Sequence, residues 1–217
     1  MPLFQDRADA GRQLAEKLTD YQGRRDVVVL GLPRGGIPVA YEVAKLLNAS
    51  LDIFLVRKLG LPGHEELAMG AIASGGVRVL NKEVIDGLRI PDDVIDAVAE
   101  REQQELERRE RAYRNERLAL PLHDQVTILV DDGLATGASM AAAVTALRVQ
   151  SPAQIIVAVP VAAAEACEVF QNKVDHMLCL EQPQPFFSVG LWYSDFAQVR
   201  DDEVHGLLAQ AADRFPG

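Results

Sequence analysis

Hydrophobic positions along this chain keep two alternating periods. Between Asp6 and Leu18, Ala10, Leu14 and Leu18 recur at every fourth position, the stripe of a short amphipathic helix that packs ahead of the first strand. Val27-Val28-Val29-Leu30 breaks that period with a continuous, β-branched run, the pattern of a strand covered on both faces, and stops at Gly31-Leu32-Pro33-Arg34-Gly35-Gly36. Ile37, Ala40, Val43, Ala44 and Leu47 return to helical spacing, and Leu51 to Val56 is strand-like again, which completes a βαβ unit.

Residues 57–81 interrupt the scheme. Gly60, Pro62, Gly63, Gly70, Gly75 and Gly76 cut the apolar pieces short, and the segment reads as a mobile loop followed by a hairpin turning at Ser74-Gly75-Gly76. Pro91-Asp92-Asp93 opens a helix that the pattern carries to about Arg117, with Pro121 barring continuation. From Glu100 onward this helix is mostly charged, over a thin apolar seam of Val94, Val98, Leu106 and Tyr113. Both signs interleave, as in a solvated helix laced by Glu–Arg pairs; a nucleic-acid stripe would be of one sign.

Strand and helix then alternate regularly. Strands are predicted over Val126 to Val130, Gln154 to Val159 and Val174 to Leu180, with helices over Ala138 to Val149, Ala162 to Phe170 and about Asp201 to Asp213. The fold predicted is α/β, a mostly parallel sheet flanked by helices, formed as a single domain over residues 1–217. Ligands in such sheets bind beyond the carboxyl ends of the strands.

Charge narrows the function classes. With 22 Lys+Arg against 32 Asp+Glu, the net charge of −10 repels nucleic acid and anionic membrane surfaces. No apolar stretch is long enough to span a bilayer, and the first residues lack a basic head before an apolar run, so a cytoplasmic protein is expected. Cys167 and Cys179, with no second pair, build neither a CxxC motif nor a zinc knuckle and are expected to be reduced core thiols.

The segment Ile128-Leu129-Val130-Asp131-Asp132-Gly133-Leu134-Ala135-Thr136-Gly137-Ala138-Ser139-Met140 carries the strongest chemistry. Two carboxylates following a buried strand must lie at its exposed carboxyl end, because burying them unpaired is costly. Thr136-Gly137-Ala138-Ser139 then opens a helix with hydroxyls, a glycine and free backbone N–H groups, an arrangement that receives phosphate. The dipole contributes about 0.3–2 kcal/mol there. Either half alone is an Asp-Asp turn or an ordinary helix cap. Joined at this spacing, they suit a sugar phosphate with Mg²⁺.

These thirteen residues resemble the signature of type I phosphoribosyltransferases, an apolar strand, two acids and an Ala-Thr-Gly-x-Ser/Thr loop. The resemblance implies that Asp131 and Asp132 contact the ribose of 5-phosphoribosyl-1-pyrophosphate and hold Mg²⁺ directly or through water. It further implies that Ala135, Thr136, Gly137, Ala138 and Ser139 hold the 5′-phosphate. Gly133 departs from the aliphatic residue usual there. Leu32-Pro33-Arg34-Gly35-Gly36 is similar to the family's pyrophosphate loop, where glycines let the backbone approach the ligand. Arg57-Lys58, at the head of the glycine-punctuated stretch, resembles the start of the flexible catalytic loop and would neutralise departing pyrophosphate. A surface pair remains its alternative.

The tail, Phe187-Ser188-Val189-Gly190-Leu191-Trp192-Tyr193-Ser194-Asp195-Phe196, looks like the hood of purine phosphoribosyltransferases, set within residues 181–200, where Phe187 or Trp192 would stack on a base. It would serve equally as a plug closing the sheet edge. The charged helix near 92–117 is an insertion relative to the compact family core. His64, Glu65 and Glu66 are candidates for substrate contact; His123, His176 and His205 are taken as structural. The function implied is transfer of phosphoribosyl to a nitrogenous acceptor, with a non-catalytic sensor of the same ligand as the alternative and a homo-oligomer left open. Ala135 stands where relatives acting on 6-oxopurines carry a third acid, which points to another acceptor.

Overall fold

The computed structural model describes residues 2–115 and 117–214. An N-terminal helix, Arg7–Glu16 (α1), precedes Val27–Gly31 (β1), Gly36–Leu47 (α2) and Ser50–Ile53 (β2). Val56–Leu61 (β3), His64–Ala73 (β4), Val77–Leu80 (β5), Lys82–Leu88 (α3) and Asp92–Arg114 (α4) follow. Val126–Val130 (β6), Ala138–Val149 (α5), Gln154–Val161 (β7), Ala164–Gln171 (α6), His176–Glu181 (β8) and Asp201–Arg214 (α7) come last.

Five strands form a parallel sheet in the order β2-β1-β6-β7-β8. The period of two that strands impose divides its side chains between two cores. Val27 and Val29, Val126, Ile128 and Val130, and Ile156 and Ala158 face one, shared with α1, α2, α4 and α7. Val28 and Leu30, Leu129, and Ile155, Val157 and Val159 face the other, shared with α5 and α6. The chain leaves β1 toward β2 and leaves β6 toward β7, in opposite directions. The carboxyl ends of β1 and β6 therefore frame the crevice of the sheet.

The structure corrects the reading of residues 51–81. One strand was expected from Leu51 to Val56; instead β2 ends at Ile53, and β3 starts a separate antiparallel sheet, β3-β4-β5. The expected mobile loop is largely this hairpin. Its glycines serve close approach: a Cβ on Gly60 would lie 2.6 Å from Glu65 O, and one on Gly70 would lie 2.2 Å from Val79 O. Gly63 turns the first hairpin at φ +81°, and Gly75 and Gly76 turn the second at the expected place. Helix α3 had no counterpart in the predicted elements.

Helix α4 ends at Arg114, three residues before the expected Arg117; of its expected seam Val98, Leu106 and Tyr113 are buried and Val94 is half-buried, and Ile95 and Ala99 are buried as well. Two of its charges are not solvated. Arg114 Nε donates to Asp52 Oδ1 at 2.8 Å, Nη1 to Glu110 Oε1 at 2.8 Å and Nη2 to Ile53 O at 3.0 Å, while Leu120 N donates to Asp52 Oδ2 at 3.1 Å. Glu102 is likewise buried. A second correction concerns the cysteines: Cys167 and Cys179 form a disulfide, because α6 folds back beside β8 and brings the two side chains together.

Removing one partner of a buried ion pair strands the other. Arg114→Ala is expected to lower the unfolding free energy by about 3–5 kcal/mol, since Asp52 then loses its guanidinium. Urea denaturation measures this, and a loss below about 1 kcal/mol would show the pair to be of little weight.

Candidate active site at the carboxyl ends of β1 and β6

Gly31 and Val130 lie opposite each other at the ends of β1 and β6, and the two loops that follow touch. A Cβ on Gly35 would lie 2.0 Å from Asp132 Oδ2; one on Gly36 would lie 2.7 Å from Val130 O and 2.9 Å from Asp131 Cα. Only hydrogen side chains permit this approach. The Leu32 N–H also donates to Val130 O at 2.9 Å. Gly35 and Gly36 are thus brought to Asp131 and Asp132, while the Arg34 guanidinium is turned away to Asp201, 3.8 Å from its Oδ1.

Burial and the adjacent Asp132 charge push the Asp131 carboxyl well above the usual carboxylate range. Burial also raises Asp132, against the pull of Arg7. Arg7 Nε donates to Asp132 Oδ2 at 2.8 Å and Nη1 to Ala197 O at 2.8 Å, with the guanidinium 3.8 Å over the Phe196 ring. The Tyr193 hydroxyl donates to Asp132 O at 2.5 Å, and burial raises its pKa so that it stays a donor. Neither residue was found from the sequence. Arg7 left one signal, a cation in the first turn of a helix, where the dipole disfavours it.

At the second loop, Gly137 adopts φ +73° immediately before α5. A Cβ there would meet Phe170 at 2.8 Å. Ala135, Thr136, Ala138 and Ser139 are exposed while Gly137 and Met140 are buried, so the free N–H groups of the first turn open outward beside two hydroxyls. Gly133 has its reason too: a Cβ would lie 2.5 Å from Val189 Cγ1, so the aromatic tail occupies the space an aliphatic residue would need.

Other candidates are not drawn to the acids. Arg57 and Lys58 sit inside β3, not at a strand end: Arg57 Nε donates to Glu102 Oε2 at 2.6 Å, and Lys58 Nζ donates to Glu66 O at 2.5 Å. His64, Glu65 and Glu66 line an open groove of about 960 Å³ with Leu67, Leu88 and Val94, and its lining does not include the acid pair. Phe187 and Trp192 do not form one platform. Phe187 is 75% exposed, whereas Trp192 stacks on Phe186 with centroids 6.3 Å apart.

A family model, the phosphoribosyl transferase domain, matches residues 61–194. The chain belongs to this phosphoribosyl transferase family. It is similar to "Putative phosphoribosyl transferase MT0597" of Mycobacterium tuberculosis strain CDC 1551/Oshkosh, 46% identical over 215 residues, 99% of this chain and 48% of that protein. The same figures hold for "Putative phosphoribosyl transferase Rv0571c" of strain H37Rv. The chain thus spans about half the length of the curated relatives it matches. The protein TT1426 from Thermus thermophilus, known from its crystal structure, is 42% identical, with a TM-score of 0.85 over 97% of this chain and 99% of that one. The type I fold expected from the signature is the fold observed.

The acid pair sets a pH dependence. Between the unfolded carboxyl value, near ~4, and its raised native value, the folded protein binds more protons than the unfolded one, so stability falls as pH rises through that window. Asp131→Asn removes the charge and keeps an oxygen for the Asp132 N–H, which Asp131 Oδ1 accepts at 2.9 Å. The phosphoribosyl transferase domain carrying it should melt above the parent at pH 8 and level with it at pH 4, read by circular dichroism. A lower melting temperature at pH 8 would contradict the repulsion inferred.

Proposed function

We propose that the chain binds 5-phosphoribosyl-1-pyrophosphate with Mg²⁺ and transfers the phosphoribosyl group to a nitrogenous acceptor. The observation that carries this reading is the contact of Gly35 and Gly36 with Asp131 and Asp132, beside the open first turn of α5. Three recognition elements for a phosphorylated sugar diphosphate converge there. Asp131 and Asp132 hold the ribose hydroxyls, Ala135 to Ser139 the 5′-phosphate, and Arg34 to Gly36 the diphosphate.

The donor set fits Mg²⁺. Two carboxylates whose charge burial disfavours, Asp131 further so beside Asp132, are relieved by a hard divalent cation, and Mg²⁺ takes one or two protein carboxylates with substrate phosphates instead of a closed protein cage. When bound, the ion supplies charge neutralisation on the diphosphate.

In the transfer, the bond from C1 to the pyrophosphate oxygen breaks and a C1–N bond forms. The acceptor nitrogen gives up its proton, and positive charge develops at the anomeric carbon. The protein's share is positioning and electrostatic stabilisation. Ala135 cannot exchange a proton, so the acceptor differs from a 6-oxopurine handled by a loop acid. Glu65 lies in the groove with Leu67, Leu88 and Val94, away from the acid pair, so the proton leaves with the departing pyrophosphate or to solvent.

Millimolar phosphoribosyl pyrophosphate with Mg²⁺ should raise the melting temperature; at a hundredfold excess over Kd the stabilisation is ~2.7 kcal/mol. Asp131→Asn/Asp132→Asn should abolish that shift while remaining folded. Pyrophosphate release is then assayed with adenine, hypoxanthine, guanine, xanthine, uracil and orotate. Absence of any thermal shift sinks the reading, binding without turnover of any acceptor favours the sensor, and efficient turnover of hypoxanthine or guanine removes the argument from Ala135.

A further inference from the structure

Arg7 reaches the acid pair from a place its own helix does not favour. It is the first residue of α1, where the dipole disfavours a cation, and the N-cap Asp6 already accepts from Asp9 N at 2.7 Å. On its outer side Arg7 lines a cavity of about 320 Å³ with Asp6, Asp195 and Glu203, three carboxylates open to solvent pairing. Its hydrogen bonds go inward instead. With Nε on Asp132 Oδ2 at 2.8 Å, the Arg7 side chain is only 12% exposed and that of Asp132 15%.

Two further contacts fix the guanidinium independently of the acid. Nη1 donates to Ala197 O at 2.8 Å, and the Phe196 ring centroid lies 3.8 Å from the guanidinium carbon. Asp132 is held from its own side as well: its N–H donates to Asp131 Oδ1 at 2.9 Å, and its carbonyl accepts from the Tyr193 hydroxyl. Cation and carboxylate are therefore each immobilised before a ligand enters. Asp131 carries no such bond to a cation among the described residues. One resident positive charge thus serves two adjoining carboxylates.

We propose that Arg7 is the standing counter-cation of the acid pair, occupying at Asp132 the place of a divalent ion, so that the crevice accepts a sugar phosphate without metal. The proposal rests on the function proposed above and deepens it by assigning a positioning residue that lies outside both loops of the crevice. A sugar phosphate brings further negative charge to a site that already holds two carboxylates, and its hydroxyls donate best to those carboxylates when they are ionised. A cation must balance that charge. Arg7 supplies it in a geometry set by Ala197 and Phe196, with little left to order at the moment of binding. A divalent ion is then required only by a ligand that carries a diphosphate of its own.

Isothermal titration of the full chain with ribose 5-phosphate, which has no diphosphate, tests this in EDTA and in millimolar Mg²⁺. The parent should bind equally in both. Arg7→Gln should bind about tenfold more weakly in EDTA and regain parental affinity in Mg²⁺, a rescue that loss of a merely structural contact does not show. Arg7→Lys, which keeps the charge without the planar fork, should stay within about threefold of the parent in EDTA and serves if Arg7→Gln is unstable. Parental affinity of Arg7→Gln in EDTA, a loss in it that Mg²⁺ leaves in place, or an Arg7→Lys variant weakened about tenfold overturns the proposal. So does a parent that Mg²⁺ strengthens as much as it strengthens Arg7→Gln. A parent that binds no ribose 5-phosphate in EDTA, yet is stabilised by phosphoribosyl pyrophosphate with Mg²⁺, overturns it while the proposed function stands; one that responds to neither ligand overturns both.

Discussion

Everything at the candidate site depends on how closely two loops approach. β1 and β6 are neighbours, so the turns beyond them share one small volume, and Asp132 fills the space where any side chain on residue 35 would stand. A methyl group there would push the glycine loop off the acids or drive the acids out of the crevice. The acids in turn sit where burial and mutual repulsion work against their charge, which makes the crevice a place that rewards a cation. In the free chain Arg7 takes that part for Asp132.

Around this contact the other elements act as supports. Phe170 of α6 packs on Gly137 and fixes the start of α5, and Val189 closes on Gly133. Helix α4 is clamped to the end of β2 through Arg114 and to β3 through Glu102, which holds Arg57. That second clamp changes the standing of Arg57. In this conformation it is a structural cation, and any part in catalysis requires it to leave Glu102.

Much of the fold was legible because strands covered on both faces announce themselves. β6 and α5 begin and end where the sequence pattern places them, and the glycine loop and the acid pair were both recognisable as loops beyond buried strands. What was hidden follows from one ambiguity. Glycine marks either freedom or close approach, and in 57–76 the second meaning holds at Gly60 and Gly70, where a neighbouring strand presses on the backbone. Interleaved charge carries a similar ambiguity: Glu102 and Arg114 look like their solvated neighbours in α4, and only the packing against β2 and β3 separates them. Arg7 and Tyr193 reach Asp132 from distant parts of the chain, which no local period records.

That last arrangement has a consequence for the order of assembly. Leu3 and Phe4 donate to the Trp192 carbonyl, Phe4 packs on Tyr193, and Arg7 spans from Asp132 to Ala197. A ribosome releases residue 7 long before residue 197, so the acid pair emerges with one of its covers already made and the other still to be synthesised. Contacts of such long sequence separation carry the largest loop-closure cost. The crevice is covered only where these two remote segments meet across it, so its cover depends on contacts that the parallel sheet itself does not need.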